Sequence, residues 1–257
     1  MKKMIAMILA LCMALTMVAA FAEEEKPVLK MGTNAQFPPY EFYEDGEIVG
    51  IDAEIAAAIA DKLGMKLEIV DMDFGAIIAA VTTGKVDIGM AGMTVTDERL
   101  QSVNFSGTYA TGIQAIIVKE GSPITCVDDL YAEGASYMIA VQESTTGDIY
   151  CTDDFGAENV GKYKAGADAV MALIAGKADC VIIDNEPAKA FVAANEGLVL
   201  LETSYAVEDY AIAVALENTE LLEKIDAALE ELIADGTLAA IVEKYIPTEV
   251  EEEAAAE

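Results

Sequence analysis

Two stretches of this chain share one pattern, and that repetition limits its fold more than any other feature. Residues 79–92 align with residues 171–184. Both read as an apolar helix, a Gly-Lys-x-Asp turn (Gly84-Lys85-Val86-Asp87; Gly176-Lys177-Ala178-Asp179) and a buried strand. The period is too long and the copies too few for a solenoid. Two similar α/β lobes is the simpler account. In α/β sheets ligands sit beyond the carboxyl ends of the strands. Gly92 ends one such strand and Asp184 ends its counterpart.

The residues after Gly92 sharpen this. Thr96 reads as an N-cap, with Asp97 and Glu98 in a first helical turn, where carboxylates suit the helix dipole. Arg99 comes next and is the single arginine of the chain. One arginine kept at a strand–loop–helix junction suits a task Lys performs poorly, a two-pronged grip on a carboxylate. A surface pair with Asp97 or a nearby Glu is the plainer reading. The repeat favours the first. If the lobes face each other, the Asp184 carboxylate opposes the Arg99 guanidinium, and a zwitterion fits between them.

The chain begins with Lys2-Lys3, an apolar run over 5–18 and Ala20-Phe21-Ala22, the pattern of a cleaved export signal. Residues 1–22 are therefore set aside, and export without a lipid anchor is expected, because Leu11 before Cys12 is too large for a lipid-attachment signal. No later stretch is long and apolar enough to span a bilayer. With 46 Asp and Glu, 15 Lys and Arg and no His, the net charge of −31 argues against nucleic acid and anionic membrane as partners. The absence of His and of Cys-x-x-Cys argues against a zinc site, and no cofactor is implied. Cys126 and Cys151 are candidates for a disulfide in an oxidising compartment; Cys180 lies in an apolar strand.

The rest alternates strand and helix, which implies parallel sheets with helical crossovers. Strands are expected at 28–32, 66–70, 86–90, 137–141, 180–183 and 198–201, with a hairpin turning at Asp45-Gly46. Helices are expected at 52–63, 76–83, 168–176, 219–234 and 237–245. Pro38 and Pro39 make 34–40 an extended loop carrying Phe37 and Tyr40. Phe74 likewise comes just after a strand. Residues 142–147 form a polar loop into a helix whose free N–H groups can seat an anion; the Gly spacing excludes a Walker loop. Extended segments at 108–118 and 208–216 suit crossings between lobes. The lobes are accordingly assigned as 23–110 with 212–248, and 111–211, with an acidic tail at 249–257.

The ordered run Asn34-Ala-x-Phe37-Pro38-Pro39-Tyr40-Glu41, Gly50-Ile-Asp52, Asp73-Phe74, Ala91-Gly92-Met93-Thr94-Val95-Thr96-x-x-Arg99, Thr145-Thr146-Gly147 and Asp184 resembles the polar amino acid-binding proteins of bacterial ABC importers. The resemblance implies an α/β, two-lobed fold like the type II periplasmic binding proteins, each lobe a mostly parallel sheet flanked by helices, joined by two hinge strands. It implies a monomer that closes on one free amino acid and serves a permease and its ATPase. By this resemblance Arg99, Thr94 and the Thr146 backbone take the ligand carboxylate. Asp184, the Ala91 or Gly92 carbonyl and the Thr94 hydroxyl take the ammonium. Phe37 and Phe74 flank the side chain, and Asn34 and Gln142 line its far end. Glu143-Ser144 departs from the family, which often has an apolar residue and Gly there. Asn34 replaces an acid found in members that prefer basic ligands, so a polar or uncharged ligand is expected. An enzyme on the same fold, resembling cyclohexadienyl dehydratases, is the alternative. It requires a general acid or base, for which Glu143 or Asp184 could serve.

Overall fold

The structure, a computed structural model, describes residues 26–247. The expected export signal with Cys12 and the acidic tail lie outside the described residues. The chain opens with β1 (Val28–Thr33), β2 (Gln36–Phe37) and the hairpin of β3 (Glu41–Glu44) and β4 (Glu47–Val49). Asp45 and Gly46 both have positive φ, 50° and 90°, as a two-residue primed turn requires. Helix α1 (Ile51–Lys62) buries Ile51, Ile55 and Ile59, its four-residue apolar stripe. Then come β5 (Lys66–Asp71), α2 (Ile77–Thr82), β6 (Ile88–Gly89), β7 (Val103–Phe105), β8 (Ala110–Lys119), β9 (Ile139–Gln142), α3 (Thr146–Phe155) and β10 (Val160–Tyr163). Finally come α4 (Gly166–Ile174), β11 (Cys180–Asp184), α5 (Asn185–Ala194), β12 (Leu198–Tyr210), β13 (Ala213–Ala215), α6 (Thr219–Ala234) and α7 (Thr237–Tyr245).

Two five-stranded sheets result, ordered β5-β1-β6-β13-β7 and β10-β9-β11-β8-β12. Their senses match. β1 runs parallel to β5 and β6, and β9 to β10 and β11; the fourth strand, β13 or β8, is the one reversed. The first sheet packs Leu29, Met31, Ile55, Ile59, Ile225 and Leu229 on one face and Ile77, Val81, Met93 and Val103 on the other. The second is covered on both faces, by Ile116, Ile139 and Ile182 on one and Ile117, Leu173 and Val181 on the other.

The repeated motif occupies equivalent places, α2–β6 and α4–β11, and its residues do the same work twice. Gly84 (φ 67°) and Gly176 (φ 72°) take the left-handed position that ends each helix. The paired bonds Gly84 N–H to Val81 O and Lys85 N–H to Ala80 O recur as Gly176 N–H to Leu173 O and Lys177 N–H to Ala172 O. The Asp then pins the neighbouring parallel strand, at Lys30 in β1 and at Met138 just ahead of β9. Asp87 Oδ2 accepts from Lys30 N–H at 2.7 Å, and Asp179 Oδ2 from Met138 N–H at 2.8 Å. Asp87→Ala and Asp179→Ala are each expected to lower stability by about 1 kcal/mol, the worth of one such hydrogen bond. A urea titration checks this as a lower midpoint at unchanged slope.

Three expectations are corrected. Residues 97–101 do not form the helix that Thr96 was read to cap. Thr96 Oγ1 does accept from Arg99 N–H at 3.2 Å, but only a 3₁₀ turn forms at Arg99–Gln101, because the chain must enter β7 at Val103. The strand at 198–201 does not stop there: it continues to Tyr210 along the sheet edge, with register shifts on either side of Ser204 that break the apolar alternation. Cys126 and Cys151 do not pair; with Cys180 they are free thiols, and Cys151 and Cys180 belong to the core of the second lobe.

Candidate ligand-binding site

The carboxyl ends of β1, β6, β9 and β11 converge on one cleft between the sheets. About 450 Å³ of non-atom space, open solvent included, lies in that cleft. All ten residues expected to contact a ligand line it: Asn34 and Phe37 after β1, Phe74 after β5, Ala91, Gly92, Thr94 and Arg99 after β6, Gln142 on β9, Thr146 on α3 and Asp184 on β11.

The loop after β6 is held to the return crossing. Thr94 bridges Tyr210, Val95 N–H donates to Asp209 O at 3.1 Å, and Ala211 N–H to Met93 O at 3.1 Å. Gly92 (φ 52°) turns it, and a Cβ there would lie 2.9 Å from the Phe37 ring, so only glycine fits both the backbone and the space. This fastening carries Arg99 inward, to 7% exposure. Nη1 donates to Thr94 O at 2.8 Å and Nη2 crosses the cleft to Ser144 O at 3.2 Å, with the guanidinium 5.3 Å from the Phe74 ring centre. No carboxylate of the described residues forms an ion pair with it. The surface pair with Asp97 is thus absent. Burial lowers the pKa of Arg99, and Glu208 nearby opposes the shift; the group keeps its charge.

Asp184 faces the same cavity from the other lobe and is 1% exposed. Oδ1 caps α5 by accepting from Glu186 N–H at 3.1 Å. Oδ2 accepts from Tyr210 OH at 2.7 Å and from Ile113 N–H at 3.0 Å. Burial pushes its carboxyl up to about 6, against these three hydrogen bonds. Asp184 is therefore a structural cap and a buried carboxylate that forms no ion pair among the described residues, both at once.

At the far end, Gln142 Nε2 donates to Asn34 Oδ1 at 2.9 Å, and Asn34 Nδ2 to Met72 O at 3.0 Å, so the two amides also join the lobes. Phe37 packs against the cores of both lobes. Thr145 caps α3, and the Thr146 hydroxyl donates to Glu208 Oε2 at 3.0 Å. The departure at Glu143-Ser144 shows its effect here. Ser144 holds φ 68°, a position that suits glycine, and its N–H donates to Asp148 Oδ2 at 2.9 Å. Glu143 pairs with Lys164 at 2.7 Å on the surface, beyond the cavity lining.

Glu41, Gln114, Thr145, Ile182, Ile183 and Tyr210 also line the cavity, and sequence reasoning gave them no ligand contact. Gln114 and Tyr210 lie in segments legible only as crossings. Glu41 stands within the Asn34–Glu41 motif, but nothing in the sequence says that it is buried.

The sequence profile of the bacterial extracellular solute-binding proteins, family 3, matches residues 29–248. The arginine-binding extracellular protein ArtP of Bacillus subtilis is 30% identical over 258 residues, covering 97% of this chain and 100% of its own. The L-arginine-binding protein of Pseudomonas aeruginosa is 30% identical, covering 96% and 98%. Among solved structures, an ancestral arginine-binding protein bound to glutamine superposes with a TM-score of 0.80 at 39% identity, covering 87% of this chain and 99% of that one. Each is named as a binding protein, and the match runs through both lobes: the chain belongs to the bacterial extracellular solute-binding proteins of family 3.

Proposed function

We propose that the protein captures one free α-amino acid in this cleft by closing its lobes, 23–110 with 212–248 against 111–211, and passes it to the permease of an ABC importer driven by its ATPase. Arg99 grips the carboxylate, aided by Thr94 and the Thr146 backbone. Asp184, the Ala91 or Gly92 carbonyl and the Thr94 hydroxyl take the ammonium. Phe37 and Phe74 enclose the side chain, whose end meets Asn34 and Gln142. The observation that carries this is the pair of buried, opposite charges facing one cavity, neither neutralised by a protein counter-charge. A zwitterion supplies both partners. Charge-assisted hydrogen bonds of about 1.5–3 kcal/mol each at its two ends suffice for micromolar binding, which corresponds to roughly 8 kcal/mol. Export with a cleaved signal near Glu23 and without a lipid anchor belongs to the same proposal.

With the zwitterion bound, the charges of Arg99 and Asp184 are matched, and the amides of Asn34 and Gln142 favour an uncharged polar side chain such as that of glutamine. Arginine is the second reading. It is favoured by the buried carboxyl of Glu41 on the cavity wall and by the arginine-binding relatives. A thermal-shift screen over the twenty amino acids tests both. At a ligand concentration near 100 Kd the folded state gains about 2.7 kcal/mol, worth roughly 5–10 °C for a chain of this size. The largest shift is expected from glutamine, and no shift from any amino acid would refute the assignment.

A further inference from the structure

Glu41 opens β3 on the cavity wall, 1% exposed, and neither of its carboxyl oxygens meets a donor among the described residues. Asp52, in the first turn of α1, is fully buried. Its Oδ2 accepts from Gly92 N–H at 2.8 Å and from Tyr109 OH at 2.9 Å, while Oδ1 has no donor. The backbone sets the two acids side by side: Ile51 N–H donates to Pro39 O at 3.1 Å and Asp52 N–H to Tyr40 O at 2.9 Å, immediately ahead of Glu41. The titratable groups facing them from other elements are Tyr109 before β8, Asp184 at the end of β11 and Tyr210 on β12, with Tyr40 adjacent in the chain. No cation is among them.

Two adjacent buried carboxylates without a cation cannot both stay charged at tolerable cost. One proton between them satisfies two of the three unpaired atoms. Glu41, as the acid, donates to Asp52 Oδ1, and its other oxygen remains an acceptor toward the cavity. We propose that Glu41 and Asp52 hold one shared proton as an acid–carboxylate pair, and that this pair positions the Ala91–Gly92 turn on which the ligand ammonium rests. The second half depends on the assignment of that turn to the ammonium under the proposed function. The Asp52–Gly92 bond fixes the direction of the peptide N–H and so of the neighbouring carbonyl. Glu41 and Asp52 act through that peptide and are positioning residues. Burial first, then the charge of Asp52, raises the Glu41 carboxyl well above its ordinary range. Burial holds Asp52 at about 6, against the bonds from Gly92 and Tyr109.

The proton links stability to pH. Glu41 titrates higher in the folded than in the unfolded chain. Its contribution is therefore complete below the unfolded value of about 4.3 and is lost as pH rises toward the folded value. In that window the folded chain keeps a proton the unfolded chain has released, so each pH unit raises the unfolding constant about tenfold. In Glu41→Gln the amide donates to Asp52 without a proton to lose.

The test uses the ligand-free, full-length protein. Infrared spectra at pH 7.5 are expected to show a protonated carboxyl band that Glu41→Gln removes. Urea unfolding from pH 5 to 8 is expected to lose up to one decade per pH unit of its slope in that variant. No such band in the wild type, which needs no variant to fold, or equal slopes in both proteins, overturns the proton pair. For positioning, the probe is L-glutamine. Asp52→Ala is expected to weaken its binding at least tenfold, and Asp52→Asn, whose side-chain oxygen still accepts from Gly92 N–H, to recover most of that loss. Unchanged binding in Asp52→Ala, or no recovery in Asp52→Asn, overturns the positioning role. A wild type that binds no amino acid removes the assignment beneath that role, while the band still decides the proton pair.

Discussion

Arg99→Lys is expected to weaken amino acid binding about 100-fold although it keeps the positive charge. The guanidinium spends one N–H on Thr94 O and one on Ser144 O across the cleft. It has further N–H groups for a ligand carboxylate in the same plane. An ammonium carries three donors on one atom and cannot meet both carbonyls and a carboxylate in that geometry. It also forfeits the planar face presented to Phe74. Losing one charged hydrogen bond and weakening a second amounts to ~3 kcal/mol. Part of this falls on closure itself, since the Ser144 contact joins the lobes. Calorimetry with the ligand found by thermal shift measures it, and equal affinity in the two proteins would remove Arg99 from the site.

Asp184→Asn is expected to cost both binding and stability, in separable ways. Asn caps a helix as well as Asp does, but its single oxygen cannot accept from Glu186 N–H on one side and from Tyr210 OH and Ile113 N–H on the other. Each buried donor left unpaired, Glu186 N–H on one side or Tyr210 OH and Ile113 N–H on the other, costs about 1–3 kcal/mol of stability, read from the urea midpoint. The missing charge costs a similar amount of ammonium binding, about 10–100-fold. The pH profile distinguishes the two effects. Because the ligand-free carboxyl titrates at about 6, a proton competes with the ammonium below that value. Wild-type affinity should then fall about tenfold per pH unit on acidification through this range, and the fall should vanish in Asp184→Asn. A variant with the wild-type profile would show that Asp184 acts only as a cap.

Much of the local structure was legible in the residues. The stripe of Ile51, Ile55 and Ile59, the Asp45-Gly46 turn and the Gly-Lys-x-Asp junctions each rest on neighbours a few positions apart. The same signals misled where distant strands took over. Thr96 carries a capping side chain, but β7 starts too soon for a helix. Residues 202–207 lack clean alternation, yet they extend β12 because β8 supplies the bonds. A three-residue strand such as β7 leaves no periodic trace at all.

The sequence alone determined that two like α/β halves exist, that Arg99 stands without a rival at the end of one, and that Asp184 ends the matching strand of the other. These conclusions rest on short-range pattern and composition, which need no knowledge of where the chain goes next. Only the tertiary structure decided that the two charges look into one cavity, that Tyr210 and Ile113 hold the Asp184 carboxylate, and that Glu41 lies against Asp52 with no cation of the described residues paired to either. Those arrangements depend on strand register and on two chain crossings between the sheets. A crossing brings together side chains far apart in sequence, and nothing in their own neighbourhoods records the meeting.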